Sequence, residues 1–473
     1  MDRTLEYFKK LKEPHREAIK ISWLTTDETV LQEFTDELYD ISGSYNINLQ
    51  DGARRTCTIT IDNRGNKFPI NYNGIWLGQK FQLWTGLYLD DGAPYYVSQG
   101  IYYVTNPQEA YSPDKRTITI QGVDKWACLD GQLFGYLTGT YKTIPGQDVR
   151  NLIRGVLSYN RFSNTFEQIA DRQKQIDPKL PNFNDYGNDY EVEVMQRYQQ
   201  TGTIIYHDSN GNFTYDSGSS TGAYNIKDGG TPGNYELNGE HTFSGAITPY
   251  TAMQSRFLSP YTVSISSDKT LADVILEYNT MLMGKCYYDR NGYLTFTPVS
   301  LDREDISNGN KEIGWNFTIT EQELLDLQME SKFTNVFNDV IVLGAVVNGK
   351  QASARVQNLD PGNDCNVSKI GLKTKTPYVS DQYQTDAQCE ELAKYYAQTD
   401  MALDRSGTIT SLPIYHLDVD QIVTVATEHN HMNPDKYLIT GISCNLGGTM
   451  SLTVSNLRYF TNWTIIPKEE VSE

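Results

Sequence analysis

Apolar and polar residues alternate along many segments of the chain, and a period of two predicts β-strands with one buried face. In RTCTITIDN, residues 55–63, the side chains of Cys57, Ile59 and Ile61 fall on one face. Similar alternation precedes and follows this segment. We therefore expect one all-β, barrel-type unit that ends near Leu129.

Helical periodicity predicts a smaller number of helices. A short basic helix is expected over Asp2–Lys12, and an N-cap at Thr270 begins a helix that Gly284 ends. A capping box formed by Thr385 and Gln388 begins another. A further candidate covers residues 190–202. An amphipathic helix is also predicted by apolar residues spaced at three and four, which are Val149, Leu152, Ile153, Val156 and Leu157.

Two Asn-Gly turns lie between apolar, β-branched segments, over residues 203–215 and 285–298. This pattern is the strongest short-range signal for a β-hairpin. Each hairpin follows a predicted helix, so a helix and hairpin unit is expected twice. Between the two copies, residues 216–240 are rich in Gly, Ser and Asn, which predicts a long loop or a mobile insertion.

Two distant hairpin segments resemble one another. Ile101–Asp124 and Lys436–Tyr459 each pair an apolar strand ending in Thr with a return strand of alternating Ser or Thr and apolar residues. The return strands contain TITI at 117–120 and SLTV at 451–454. Their similarity indicates a repeated β-domain at the two ends of the chain. The alternative is that unrelated β-meanders share this pattern.

The composition narrows the class of protein. The chain has 473 residues, a formal charge of −19, 33 Tyr and 36 Gly, which favour several domains with many strands and tight turns. The net charge argues against a surface that grips nucleic acid, because such binding needs clustered Lys and Arg. The six Cys lack metal-ligand spacing, and most lie among apolar or β-branched residues, so we expect buried thiols and synthesis in a cytosol. The charged first twenty residues do not form a secretory signal.

No catalytic constellation is evident in the sequence. His429 and His431, beside Glu428, form a weak candidate for a transition-metal site, and a solvated turn is the simpler interpretation. Asp208–Asn212 and Asp289–Gly292 resemble the start of a calcium loop but lack its remaining ligands. We therefore expect no catalytic, cofactor-binding or metal-binding residues, and a structural or binding role.

Four segments taken together resemble the tail hub proteins of long-tailed phages, which are relatives of the contractile-phage baseplate hub and of phage-like particles of Gram-positive bacteria. The segments are TITIQGVDKWACLDG at 117–131, CYYDRNGYLTFTPV at 286–299, VFNDVIVLG at 336–344 and IYHLDVDQIVTV at 414–425. The match lies in their order along the chain. Residues 160–255 fit least well.

This resemblance implies an α+β, mainly β fold with two similar tube-type β-barrel domains and helix-containing domains between them. The implied division is an arm at 1–16, a first barrel at 17–135, a helix and hairpin domain with an insertion at 136–255, a helix and hairpin domain at 256–330, a second barrel at 331–462 and a polar tail at 463–473.

The resemblance also implies a function. Such a virion protein, made in the bacterial host cytoplasm, forms a homotrimeric, pseudo-sixfold ring in the tail baseplate or tip. The ring joins the hexameric tail tube or distal tail protein to the spike or tip protein. It contacts the tape-measure protein, has no membrane anchor, and lets DNA pass through an acidic channel without sequence-specific binding during ejection.

Two other functions stay open at this stage. A receptor- or carbohydrate-binding tail protein would use the Tyr-rich middle of the chain, and a wall-degrading enzyme would need a pair of acidic residues in a cleft. For the hub, Thr119→Lys or Thr453→Lys is expected to disturb ring assembly if these residues face the channel or a neighbour.

Overall fold

The structure is a computed structural model, and it describes residues 3–157, 259–298, 313–456 and 462–467 apart from short gaps, together with four short strands between 204 and 237. The longest gaps within these ranges are 319–323 and 427–434. The chain divides into two compact units. The first comprises residues 1–125, 288–292 and 299–473, and the second comprises 126–287 and 293–298.

The N-terminal part of the first unit contains one helix followed by eight strands. These elements are α1 (Arg3–Lys10), β1 (Glu17–Leu24), β2 (Val30–Thr35), β3 (Ile41–Asn48), β4 (Arg55–Asp62), β5 (Lys80–Tyr88), β6 (Pro94–Val104), β7 (Gln108–Tyr111) and β8 (Arg116–Asp124). Alternating burial along β4 and β8 follows the apolar positions of their sequences, as the period of two predicts.

The second unit contains two longer helices and short hairpins. Its elements are β9 (Tyr141–Lys142), α2 (Val149–Leu157), β10 (Ile204–His207), β11 (Phe213–Asp216), β12 (Ile226–Asp228), β13 (Tyr235–Leu237), β14 (Ser264–Ile265), α3 (Leu271–Leu282), β15 (Gly284–Tyr288) and β16 (Leu294–Pro298). Tyr288, the last residue of β15, and the tip residues 289–292 belong to the first unit.

The C-terminal part of the first unit begins with β17 (Ile313–Thr318) and β18 (Leu324–Lys332). A small module then interrupts the sheet. It contains β19 (Asp339–Val347), β20 (Lys350–Asn358), α4 (Val367–Ile370), β21 (Tyr378–Val379) and α5 (Asp386–Asp400). The remaining strands are β22 (Asp404–Ser411), β23 (Ile422–Ala426), β24 (Asp435–Asn445), β25 (Met450–Asn456) and β26 (Trp463–Ile465).

A 14-stranded sheet joins the two β-rich parts of the first unit, in the order β18-β22-β25-β24-β3-β4-β8-β6-β5-β1-β2. β7 branches from β8, and β17 and β23 branch from β24. The central join is the antiparallel pairing of β24 with β3, from Gly441 opposite Asn48 to Asn445 opposite Ser44. Among the residues that the structure describes, this sheet does not close into a barrel.

One apolar core runs under both parts of this sheet. Ile59 and Ile118 from the N-terminal part and Ile409 and Leu452 from the C-terminal part are fully buried members of the same cluster. The module has a separate core, in which α5 packs on β19 and β20. The mainly β, α+β fold class is therefore confirmed, and the two β-rich parts share their core.

Several local predictions agree with the structure. The helices predicted near residues 2–12, 149–157 and 270–284 are α1, α2 and α3, and both Asn-Gly hairpins are present. At α5, the Thr385 side chain accepts from the Gln388 backbone N–H, and the Gln388 side chain accepts from the Thr385 backbone N–H. The helix predicted over 190–202 lies outside the described residues.

The segment 216–240 differs from its prediction as a loop. It contains a short antiparallel hairpin, β12 with β13, in which Lys227 lies opposite Glu236. Apolar or aromatic residues flank or precede a charged residue in each strand, Ile226 in one and Tyr235 and Leu237 in the other, while the Gly and Pro residues between the strands favour a reversal of the chain. The high Gly and Ser content concealed this pattern. No helix in the described ranges is both long and apolar enough to cross a bilayer.

Candidate functional site

The same four-strand arrangement occurs twice in the large sheet. The N-terminal set lies in the order β3-β4-β8-β7, and the C-terminal set lies in the order β18-β22-β25-β24. In both sets the first two strands along the chain are neighbours, and the last two form a hairpin whose final strand lies beside the second. The resemblance between Ile101–Asp124 and Lys436–Tyr459 in the sequence therefore corresponds to equivalent hairpins.

Positions within the two sets correspond residue by residue. The last pair of each hairpin is Tyr111 opposite Arg116 in one set and Cys444 opposite Met450 in the other. Counting from these pairs makes Ile118 equivalent to Leu452. The neighbouring strands then make Ile61, which lies opposite Ile118, equivalent to Ile409, which lies opposite Leu452. All four of these apolar residues are fully buried, so the correspondence preserves the core.

One pair of equivalent positions contains a single glycine in each set, on opposite strands. Gly43 lies opposite Ile59, and the equivalent pair is Met329 opposite Gly407. A Cβ atom on Gly43 would lie 2.0 Å from the carbonyl oxygen of Thr58. A Cβ atom on Gly407 would lie 2.2 Å from the carbonyl oxygen of Gln328. The glycine stands on β3 in one set and on β22 in the other, and the equivalent positions hold Met329 and Ile59, so the two sets place their close backbone contact on different strands of this pair.

The side of this sheet that faces away from the core carries mainly hydroxyl and amide side chains, and we call it the polar face. From β22 to β8 its residues are Ser406, Thr408, Thr410, Ser451, Thr453, Ser455, Gly441, Ser443, Asn445, Ser42, Ser44, Asn46, Asn48, Thr56, Thr58, Thr60, Thr119, Gln121 and Val123. Most of these are exposed or half-buried. Thr119 and Thr453, singled out in the sequence, both belong to it.

Charge on the polar face is confined to its margins in the described strands. Asp326 and Glu330 are exposed on β18, and Asp62, which ends β4, pairs with Arg64. On the six strands between, charge on this face is limited to strand ends, at Asp404 of β22 and Lys436 of β24 besides Asp62. A surface of this composition provides hydrogen-bonding groups but lacks the clustered cations that hold phosphates by counterion release. It is less acidic than the net charge of the chain implies.

A buried ionic cluster holds residues 288–292 within the first unit. The Arg55 side chain is buried, and its guanidinium group lies 2.5 Å from the Asp418 carboxylate. Arg290 donates to the same carboxylate at 3.3 Å and to the carbonyl oxygens of His416 and Leu417. Burial alone would raise the pKa of Asp418, but the two guanidinium groups outweigh it and hold that pKa below its usual value.

Other contacts complete this arrangement. Ser98 donates its hydroxyl hydrogen to the carbonyl oxygen of Arg290 at 2.6 Å, and Lys125 donates to that of Gly292 at 2.7 Å. Lys125 and Lys80 also flank the carboxylate of Glu28, at 2.8 and 3.2 Å, and all three side chains are buried. These contacts hold residues 288–292 and Glu28 in place within the first unit.

The sequence contained a signal for part of this cluster that the first interpretation missed. Arg55 shares its strand face with Cys57, Ile59 and Ile61, so alternation alone places a charged residue toward the core. Asp124 follows Ile118 and Ile120 in the same way on β8. Its carboxylate accepts from the backbone N–H groups of Arg54 and Arg55. A charge on an apolar face indicates a buried partner.

The weak candidate sites from the sequence do not converge. Asp289 accepts from the backbone N–H of Asn291 in the hairpin turn. His429, His431 and Asp208–Asn212 lie outside the described residues. Within the described part of the chain, no cluster of three or more His, Cys, Asp or Glu side chains has a geometry for metal binding.

Solved structures of tail proteins are similar to this chain. The tail protein from Neisseria meningitidis MC58 has a TM-score of 0.50 and 9% identity over 94% of this chain and 98% of that one. The 43 kDa tail protein of prophage MuSo2 from Shewanella oneidensis has a TM-score of 0.48 and 11% identity over 94% and 99%. A prophage tail protein from Listeria monocytogenes EGD-e has a TM-score of 0.44 and 10% identity over 94% and 95%.

No protein-family model matches the sequence, and no curated protein matches it. The similarity to the Neisseria structure nevertheless extends over nearly the full length of both chains. The chain therefore has the fold of a tail protein, and the resemblance to phage tail proteins expected from the sequence is confirmed at the level of the fold.

Proposed function

We propose that this protein is a structural component of a phage tail or baseplate, a hub that assembles as a homotrimer into a pseudo-sixfold ring. The observation that carries the proposal is the duplicated four-strand arrangement within one continuous sheet. A chain with two equivalent sets contributes two of six similar positions, so three chains match a sixfold tail tube while keeping true threefold symmetry.

The dimensions of the sheet favour three copies. The two sets contribute eight strands per chain, from β18 to β7, and three chains contribute 24. At a spacing of about 4.8 Å and a tilt of about 40°, 24 strands close at a backbone diameter of about 48 Å. Side chains reduce the opening to about 35 Å, which admits a DNA duplex. Two copies would give only about 32 Å between backbones.

The polar face would line the channel, because it is the exposed face of this sheet. Its Ser, Thr, Asn and Gln side chains would let DNA slide without releasing enough counterions to bind tightly. In this proposal one end of the ring meets the tail tube or distal tail protein, and the other meets the spike or tip protein. The tape-measure protein contacts the ring, and the hub itself carries out no catalytic step.

Averaged electron micrographs of the purified protein test this proposal. The expected result is a ring with threefold symmetry and six similar lobes around an open channel. Rings of another order, or a monomer that does not associate at any concentration or with a purified tail-tube partner, would contradict the homotrimeric hub.

A further inference from the structure

The pairing of β24 with β3 inside one chain provides a template for contacts between chains. Cys444 lies opposite Tyr45 in this join, and Ile442 lies opposite Ile47. All four residues are buried. The join thus combines backbone hydrogen bonds with an apolar contact on the core side of the sheet.

The strands equivalent to these two each have one unpaired side in the described structure. β7 corresponds to β24 and pairs only with β8, while β18 corresponds to β3 and pairs only with β22. Both are edge strands that expose backbone donors and acceptors, which makes them templates for another strand. The correspondence established above makes Tyr111 equivalent to Cys444, and Ser331 equivalent to Tyr45.

We propose that β7 of one copy pairs antiparallel with β18 of a second copy, with Tyr111 opposite Ser331 and Ala110 opposite Lys332. This inference rests on the ring proposed above and specifies the surface and register that close it. The pairing repeats the join between β24 and β3 at each boundary between chains. It is heterologous, so it continues from copy to copy until the ring closes.

Exposure of apolar residues at these edges supports the pairing. Tyr111 is 79% exposed, whereas its equivalent Cys444 is fully buried. Phe333, which directly follows β18, is 69% exposed, whereas its equivalent Ile47 is fully buried. Tyr111 lies on the core side of the sheet, and Phe333 begins a short 3-10 helix directly after β18; a second copy paired in this register would cover both. An isolated chain therefore leaves uncovered the positions that its own internal join buries.

The register is restricted by the alternation of the strands. A shift by one residue would place the core side of β7, which carries Tyr111, beside the polar face of β18. A shift by two residues would keep the core sides of β7 and β18 aligned, but Tyr111 would no longer lie opposite Ser331, the residue equivalent to Tyr45. Edge strands often carry such specific patterns, because a flat, uniform edge would pair without selection.

Cysteine cross-linking of the full chain tests this register. In the variant Tyr111→Cys with Ser331→Cys, directly opposed Cβ atoms would lie about 4.5–5.5 Å apart, close to disulfide geometry. In the control Glu109→Cys with Ser331→Cys, the diagonal separation rises to about 7–8 Å. All six native cysteines are buried, so they do not compete. Oxidised samples are compared on denaturing gels without reductant, and rings are counted in micrographs of the same samples.

The matched variant should give a ladder that ends at a covalent trimer, disappears with reductant, and exceeds the control by at least about tenfold. Adding Phe333→Asp should abolish this ladder while leaving the circular dichroism spectrum and melting temperature unchanged, since Phe333 is mainly exposed.

The possible failures are distinguishable. Threefold rings in micrographs without a ladder would overturn the pairing and leave the ring standing. Equal ladders from the matched variant and the control would show edges that meet without a fixed register, and would also overturn the pairing. Folded monomers with neither rings nor a ladder would overturn both.

Discussion

Replacement of Arg55 by Met would test how far the buried cluster stabilises the first unit. Arg55 lies at the start of β4, its side chain is 1% exposed, and it contacts Asp418, which lies 363 residues further along the chain. It also donates to the carbonyl oxygens of Gln99 and Tyr288. Met retains much of the side-chain volume but removes the charge and every side-chain donor, while the backbone N–H still donates to Asp124.

The expected loss follows from what remains after the change. Removing one partner of a buried ion pair costs about 3–5 kcal/mol. Asp418 keeps Arg290 and the backbone N–H of Val419, and its side chain is 19% exposed, which favours the lower end of this range. The carbonyl oxygens of Gln99 and Tyr288 lose a donor, which adds about 1 kcal/mol. We therefore expect a loss of about 4 kcal/mol in the free energy of unfolding.

Urea denaturation followed by tryptophan fluorescence measures this loss. Arg64→Met is the matched control, because Arg64 forms an equally short contact with Asp62 but is 75% exposed. Exposed pairs contribute little, so the control should unfold close to wild type. If Arg55→Met shifts the unfolding midpoint no more than Arg64→Met, the cluster does not stabilise the unit and the reasoning is wrong.

The pH dependence of stability in wild type and in Arg55→Met gives a second test of the cluster. Burial favours the neutral form of Asp418, but Arg55 and Arg290 dominate and lower its pKa in the folded state. A carboxylate with a lowered pKa stabilises the fold above its unfolded pKa of about 4, and this contribution is lost as the pH falls through the folded-state pKa. The difference in stability between wild type and Arg55→Met should therefore shrink as the pH is lowered below about 4. A constant difference would contradict this assignment.

Three further predictions address the glycine, the capping box and the polar face. Gly43→Ala should destabilise the fold by more than about 3 kcal/mol, because the added Cβ meets the Thr58 backbone. Gly65→Ala, which has open space around it, should cost only about 1 kcal/mol from its positive φ. Thermal melting of the two variants compares these losses. Thr385→Ala should destabilise α5 by about 1 kcal/mol, and Thr385→Ser should destabilise it much less, because Ser keeps the capping hydroxyl. Hydrogen exchange of the α5 amides measures both losses, and equal losses would show that the hydroxyl does not cap the helix. Thr453→Lys should give fewer rings than Thr453→Gln in averaged micrographs, because each chain then brings a cation into the same narrow channel, where like charges repel; equal ring counts would contradict a channel-facing Thr453.

The sequence predicts individual strands and helices more accurately than it predicts pairings between distant strands, because the patterns that identify an element lie within a few neighbouring residues. Alternation identifies β4 and β8, and the Thr385 and Gln388 pair identifies the start of α5, because each signal depends on residues close together in the chain. The repeated hairpin was also visible, since equivalent strands keep equivalent patterns of burial. These features predicted the fold class and the duplication.

Pairings between distant segments were not predictable in the same way. β17 pairs with β23 in parallel, and β24 pairs with β3 across almost the full length of the chain. Backbone hydrogen bonds carry no sequence specificity, so nothing in either strand identifies its partner. The polar face was missed for a related reason. Net charge is a property of the whole chain, whereas a surface made mainly of uncharged polar side chains arises only when six strands are placed side by side.

The internal join and the edge strands β7 and β18 carry different residues at equivalent positions. We attribute this difference to the stage at which each strand is covered, during folding for the join and during assembly for the edges. β24 and β3 meet within one chain, so Ile442 can be apolar without being exposed after folding. β7 carries Glu109 at the equivalent position, paired with Arg116. A charge at an edge opposes indiscriminate pairing and keeps an unassembled chain soluble, while the neighbouring Tyr111 still provides apolar area for a correct partner. The two four-strand sets therefore differ in sequence at this edge. Folding of one chain covers β24, whereas in the proposed ring only a second chain covers β7.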